Sequence, residues 1–344
     1  MDRRSFTLSS FFSALLFQTD GAWAAQPDFT VSEPVIKDNL AVYFLRGASA
    51  PGSAPLTLQE AMTRGLVDVV ETGNVNELMI ENKGDQEIFI QSGEIVKGGR
   101  QDRVLTVSLV LPPKSGRVPI ASFCVEQGRW SARGKEDSAK FAQSASMAPS
   151  REAKLAMKAE IRGNNPRAQP GDTSARQQAV WASVARTQAK LSDNLGAPVA
   201  ALESRSSLQL ALENDKLKQA QAAYIASLRD AGEQGADIVG YVFAINGRIN
   251  SGDVYSSHAL FRKLWPKLLD AAATEAIGEK DKPKTDAPDV AAVQAFLKAA
   301  EAPPAKAQTL AGKTEMDTRD GDKALFVETR RASEGFLHRA YVAK

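Results

Sequence analysis

Residues 237–249 read DIVGYVFAINGRI, two apolar runs joined by Asn246-Gly247. Asn-Gly between apolar runs is the strongest short hairpin signal, because both central residues of a type I′ turn need positive φ. The stretch predicts an antiparallel strand pair late in the chain. The same pattern fills residues 29–130, where apolar runs alternate with turn chemistry such as Asn82-Lys83-Gly84-Asp85 and Gly98-Gly99. Strands are expected over 40–45, 66–71, 77–82, 86–91, 103–111 and 118–126, with one short helix over 57–63.

Between these β regions the composition changes. Residues 131–150 are small and polar, and a mobile loop is expected there. A helix over 151–162 would close at Gly163-Asn164-Asn165-Pro166. Val180, Val184, Thr187 and Leu191 fall at helical spacing, and Leu210, Leu217, Tyr224 and Leu228 do so less strictly. No heptad persists, which excludes a coiled coil. Two or three alanine-rich helices over 151–230 read as an excursion inserted into the β core. A further helix is expected over 257–273, kinked or split at Pro266. Residues 279–288 read as a charged, proline-punctuated linker, 290–300 as a helix, and 324–329 and 336–342 as a final strand pair.

The fold expectation is therefore α+β: an antiparallel β-sandwich or partly closed barrel with an alanine-rich helical excursion. The β core would span 29–130 and 237–255 of one domain, residues 25–278, and 279–344 would be linker, helix and strand pair.

The 344 residues are 43% hydrophobic and 24% charged, with a net charge of +2. Interspersed charges of both signs argue against nucleic acid and against an anionic membrane surface as partners. A single cysteine, Cys124, excludes an internal disulfide. It lies mid-strand on an apolar face, an inert position. His258 and His338 are the only histidines and lie 80 residues apart, so a His- or Cys-rich metal site is not expected. An oxygen-ligand site using Asp102, Glu126 or Asp253 stays open, but no metal and no cofactor is assigned. Glycine signatures of nucleotide folds and of serine hydrolases are missing.

Residues 1–24 read as an export signal. Arg3-Arg4-Ser5-Phe6-Thr7-Leu8 is a twin-arginine pattern, an apolar run follows, and Ala22-Trp23-Ala24 suits cleavage before Ala25. The mature protein is then expected in the periplasm or secreted. No later apolar run is long enough to span a membrane.

Two polar clusters stand out, GGRQDR at 98–103 and EQGRW at 126–130. Folding 118–126 back on 103–111 with Leu111 opposite Val118 sets Leu109 against Ile120, Val107 against Ser122, Leu105 against Cys124 and Arg103 against Glu126. A slip of one residue would invert a face. In this register Arg100, Asp102, Arg103, Glu126, Arg129 and Trp130 line one mouth. Gly98-Gly99 offers either a plain turn or an amide concavity for an anion. The later stretch GRINSGD adds Arg248 and Asp253 after a strand.

These residues resemble a bacterial family, the ADP-ribosylglycohydrolase- and rhodanese-phosphatase-associated domain. The resemblance rests on NELMIENKGDQEIFIQSGEIVKGGRQDRVL, CVEQGRW, GYVFAINGRINSGDVY and the LFRKLW helix, and spans roughly 34–269. It implies a relation to ADP-ribose or similar nucleotide derivatives, and no established reaction. It carries over Gly98, Gly99, Arg100, Gln101, Asp102, Arg103, Glu126, Gly128, Arg129 and Trp130.

Three functions follow as expectations. The first is an exported binding protein for a small anionic or sugar- or nucleotide-like ligand. Gly98, Gly99, Arg100, Gln101, Asp102, Arg103, Glu126, Arg129 and Trp130 would hold it. Guanidinium groups would pair with phosphate or carboxylate, and Trp130 would stack on a ring. The second is a hydrolase of a glycosidic or phosphoester bond with Glu126 and Asp102 as acid and base. The third is a structural or interaction protein of the envelope, whose clusters only staple the core. No protein partner is legible.

Overall fold

The computed structural model describes residues 29–134, 136–161, 170–280, 283–331 and 335–344. The expected export signal and the expected helix end at 163–166 lie outside them. Asn246 and Gly247 take φ of 53° and 76° and join strands Ile238–Ile245 and Arg248–Tyr255 as the hairpin reading requires. That hairpin lies at the centre of a nine-stranded antiparallel sheet. Leu40–Gly47 flanks it on one side and Gly335–Ala343 on the other.

Ile238–Ile245 is buried along its whole length, because both faces of the sheet are covered. Tyr241 and Phe243 point toward Leu264 and Trp265 of helix His258–Gly278 in the largest core. Val242 and Ala244, on the alternate face, pack with Val293 and Leu297 of helix Val290–Glu301. Burying a side chain of this size contributes roughly 1.5–3 kcal/mol.

The chain leaves the large sheet after Leu40–Gly47 and builds two smaller ones, of three and six strands, around a second core. Helix Leu58–Thr63 sits among them, opened by a capping box between Thr57 and Glu60. Four helices follow, Arg151–Ile161, Pro170–Leu195, Leu208–Leu212 and Asp215–Glu233, before the chain returns to the large sheet. The fold is α+β with three mostly antiparallel sheets, one of them a half-barrel, as the sequence led one to expect. Among the described residues no helix is long and apolar enough to cross a membrane.

Four local expectations are corrected. The run 103–111 is two strands. Arg103–Leu105 pairs with Gly116–Cys124, whereas Leu109–Leu111 pairs with Ile88–Ile90 in another sheet. The break is stapled by Ser92, whose N–H donates to the Ser108 hydroxyl and whose own hydroxyl donates to the Thr106 carbonyl. With 106–108 turned aside, Leu105 faces Ser122 and Arg103 faces Cys124, two residues short of the expected register. The shift is even, so each side chain keeps its face, but the Arg103–Glu126 pairing does not form.

The second correction concerns 131–150, which contains strand Phe141–Met147 on the edge of Glu94–Gly98. Third, helix His258–Gly278 is not split at Pro266. Pro266 and Arg262, whose carbonyl loses its donor, are both exposed, so the lost hydrogen bond lies on the outer side of the helix. Fourth, the residues past 279 carry four strands, two more than the expected pair. Lys306–Thr309, Thr314–Asp320, Ala324–Arg331 and Gly335–Ala343 supply four of the large sheet's nine strands.

Candidate functional site

Strands Glu94–Gly98 and Arg103–Leu105 are antiparallel neighbours, so GGRQDR is a hairpin loop running into a strand. Gly98 and Gly99 take φ of 109° and 55°. A Cβ on Gly99 would also run into the Phe141 ring and stand 2.9 Å from a Glu71 carboxylate oxygen. Glycine is needed there for backbone conformation and for space.

The tight loop aims Asp102 inward, where it is fully buried. Its Oδ1 accepts the Gly98 N–H at 2.9 Å, closing the loop on itself. Glu126, also fully buried, accepts the Asp102 N–H at 3.2 Å. Two arginines bridge these carboxylates. Arg129 lies 2.7 Å from Glu126 and 3.6 Å from Asp102, and donates to the Gly98 and Gly99 carbonyls. Arg133 donates to both Asp102 oxygens at 3.1 and 3.2 Å and to Glu126 at 3.4 Å. Gln101 Nε2 donates to the Glu126 carbonyl at 2.8 Å, fixing the loop to the end of the neighbouring strand.

The helical excursion completes this frame. Ser207, the N-cap of Leu208–Leu212, donates its hydroxyl to Asp102 at 2.9 Å. Gln177 of Pro170–Leu195 clamps the Cys124 backbone through both its amide atoms, at 2.9 and 2.8 Å. Asp102, Glu126 and the half-buried Glu136, which accepts from Arg133 at 2.9 Å, surround the two guanidinium groups. Burying such a set is costly and its mutual hydrogen bonds offset the cost, with Arg129 Nε and Glu136 Oε2 left without a partner. Burial works against the Arg133 cation, but the Asp102, Glu136 and Glu126 carboxylates together outweigh it and hold the guanidinium above its ordinary value. Asp102 and Glu126 thus spend their oxygens on the frame, with no open face toward solvent.

Arg103 goes elsewhere. It is fully buried, donates to the Gln101 carbonyl at 3.1 Å, and lies 3.4 Å from Glu71 of strand Val67–Glu71. Glu71 also accepts the Arg100 N–H at 3.0 Å. Burial lifts the Cys124 thiol to about 11 against the pull of Arg103, which leaves it protonated and inert at neutral pH.

Trp130 remains outside, 46% exposed. The guanidinium carbons of Arg100 and Arg103 lie 5.4 and 6.0 Å from its ring centroid, within cation–π range. Arg100 is exposed, with no ion pair among the described residues. Beside Trp130 opens a pocket of about 220 Å³, walled by Gln101, Cys124, Arg129, Gln177 and a second indole, Trp181. Trp181 Nε1 is buried and finds no acceptor.

The structure thus gathers Gly98, Gly99, Arg100, Gln101, Asp102, Arg103, Glu126, Arg129 and Trp130 at one place, and divides them into a sealed frame and an open aromatic face. Sequence reasoning missed Arg133, Glu71, Ser207, Gln177 and Trp181. Only Arg133, three residues past Trp130, had a local clue. Among the described residues no three of His, Cys, Asp and Glu cluster as metal ligands would.

Asp253 and His338, far apart in sequence, meet on adjacent strands of the large sheet at 2.8 Å. Tyr241 donates to Asp253 at 2.9 Å and Gln91 does so at 3.2 Å. Burial opposes the Asp253 charge, and His338, Lys154 and Tyr241 together hold its carboxyl below the ordinary value. These partners make Asp253 an interior tie, not a loop residue.

The model of the ARG and Rhodanese-Phosphatase-superfamily-associated Protein domain matches residues 28–342. The match includes the strands after 279 that complete the large sheet, beyond the 34–269 carried by the motifs. No curated protein and no solved structure matches the chain.

Proposed function

The chain belongs to this family, and on that premise we propose that it is an exported binding protein for a small ligand carrying both a ring and an anionic group, in the manner of a nucleotide or nucleotide sugar. The supporting observation is the open pocket with two indoles, Trp130 and Trp181, beside the unpaired Arg100. A ring stacks on the exposed indole and Arg100 pairs with phosphate or carboxylate. The buried frame keeps the walls rigid, which lowers the ordering cost of binding. The hydrolase reading needs Glu126 or Asp102 to exchange protons with substrate. Both are sealed under arginines, so binding is the better-supported activity. Export rests on the twin-arginine pattern at Arg3-Arg4.

Calorimetric titration of a nucleotide panel that includes ADP-ribose tests the pocket. Removing one stacking platform is worth roughly 1–3 kcal/mol. Trp130→Ala should therefore weaken binding at least fivefold, with the melting temperature of the free protein unchanged. A panel without a binder, or a binder indifferent to Trp130→Ala, sinks the reading. For export, cell fractionation should place the wild-type chain outside the cytoplasm and the Arg3→Lys/Arg4→Lys variant inside. Equal cytoplasmic retention of both would refute it.

A further inference from the structure

Gln101 stands in the wall of the cavity beside Trp130 and is only 4% exposed. The orientation of its amide is fixed. Nε2 donates to the Glu126 carbonyl at 2.8 Å. A carbonyl oxygen only accepts, so the amide nitrogen faces it and the amide oxygen faces away. The loop behind the side chain is held as well. Asp102 closes it on the Gly98 N–H, and Arg103 donates to the Gln101 carbonyl at 3.1 Å.

Gln101 Oε1 accepts no hydrogen bond among the described residues. Arg129 Nε and Trp181 Nε1, which also lack a partner here, are sealed from the surface, and Gln101 Oε1 is not. It is an acceptor that the cavity reaches. The other buried polar side chains of the wall are already engaged. Gln177 gives both amide atoms to the Cys124 backbone, and Arg129 lies on Glu126 and on the Gly98 and Gly99 carbonyls. The Cys124 thiol lies 3.7 Å from the Val75 carbonyl. Val75, Trp130 and Trp181 make much of the remaining wall apolar. An apolar slot with one placed acceptor selects its ligand by the donor on the ligand's edge.

We infer that the cavity takes an amino-substituted heteroaromatic ring, adenine in chemical class, with the amine N–H on Gln101 Oε1 and the ring face on Trp130. This rests on the binding function proposed above and adds the kind of ring that the site prefers. A ring of the same shape without the amine leaves the Gln101 oxygen unpaired, and a ring carbonyl at that place sets two acceptors against each other. Gln101 then governs specificity, while Trp130 and Arg100 supply affinity common to all nucleotides.

The test is calorimetric titration of the full chain with adenosine 5′-monophosphate and with purine riboside 5′-monophosphate, which lacks only the amino group. The adenosine compound should bind about fivefold more tightly, or more, the effect of one hydrogen bond in a desolvated site. Gln101→Met keeps the stem and removes the acceptor. It also loses the tie to Glu126, so both affinities fall, but their ratio should drop to about one. The comparison on the wild-type chain holds even where this variant folds poorly. Equal binding of the two nucleotides to the wild type, or a preference that survives Gln101→Met, overturns the choice of ring. Where that binding still weakens in Trp130→Ala, the proposed binding function stands. A different nucleotide that binds through Trp130 while adenosine 5′-monophosphate does not has the same meaning. Absence of binding by every nucleotide at millimolar concentration overturns both.

Discussion

Asp102→Ala should lower the unfolding free energy by about 3–5 kcal/mol, the range for stripping one partner from a buried charge set. Asp102 is fully buried and takes hydrogen bonds from Gly98, Arg133 and Ser207. Its removal leaves the Arg129 and Arg133 cations facing a single buried carboxylate, Glu126. The loop 98–102 loses its closing bond, and the helical excursion loses its tie to the sheet through Ser207. Urea unfolding followed by circular dichroism measures this as a fall in midpoint at unchanged slope. Asp102→Asn should fall between the two, because it keeps acceptor and shape but not charge. An alanine variant as stable as the wild type would mean that the frame contributes nothing.

The second large effect belongs to Lys267, one residue after Pro266. Its ammonium lies 2.9 Å from Glu94, with the two side chains 6% and 1% exposed. Glu94 opens strand Glu94–Gly98, so the pair bridges the helix on the large sheet to the six-stranded sheet. Lys267→Met keeps the stem but leaves the Glu94 charge buried without its cation, and should cost about 3–5 kcal/mol. Lys267→Met with Glu94→Leu should cost clearly less than the single change, since no charge is then left unmatched. Equal losses for the single and the double variant would show that packing, not charge, is what the pair supplies.

Local signals carried much of the fold. Asn246-Gly247 marked the hairpin because Asn and Gly are among the few residues that adopt the two positive φ angles of a type I′ turn readily. Strand Glu77–Asn82 was legible from its alternation, which survives as alternating burial in the sheet. Strands 106–108 interrupts were not, because Thr106 and Ser108 fit a strand pattern and the staple that turns them aside comes from Ser92. The expected strand pair at 324–329 and 336–342 could not be placed in the large sheet because the partner of Gly335–Ala343, Arg248–Tyr255, lies some 80 residues upstream and nothing local names it.

The same distinction explains the site. GGRQDR and EQGRW stand out because glycine, charge and tryptophan are dense in them, and the structure does bring them together. Which charge meets which was not legible. A two-residue shift preserves every face, so hydrophobic patterning does not discriminate between registers that set Arg103 against Glu126 or against Cys124. Glu71, Gln177, Trp181 and Ser207 reach the site from elements that carry no chemical signature of their own.

Asp102 and Glu126 hold the two clusters together through shared arginines. A double-mutant cycle between Asp102→Ala and Arg133→Met, read by urea unfolding, tests it most directly. Residues in one buried ionic network couple by roughly 0.5–3 kcal/mol, and independent sites add within about 0.5 kcal/mol. The double variant should lose less than the sum of the single losses, by about 1.5 kcal/mol or more on the same scale. Additive losses would place Asp102 and Arg133 in separate interactions and contradict the shared frame.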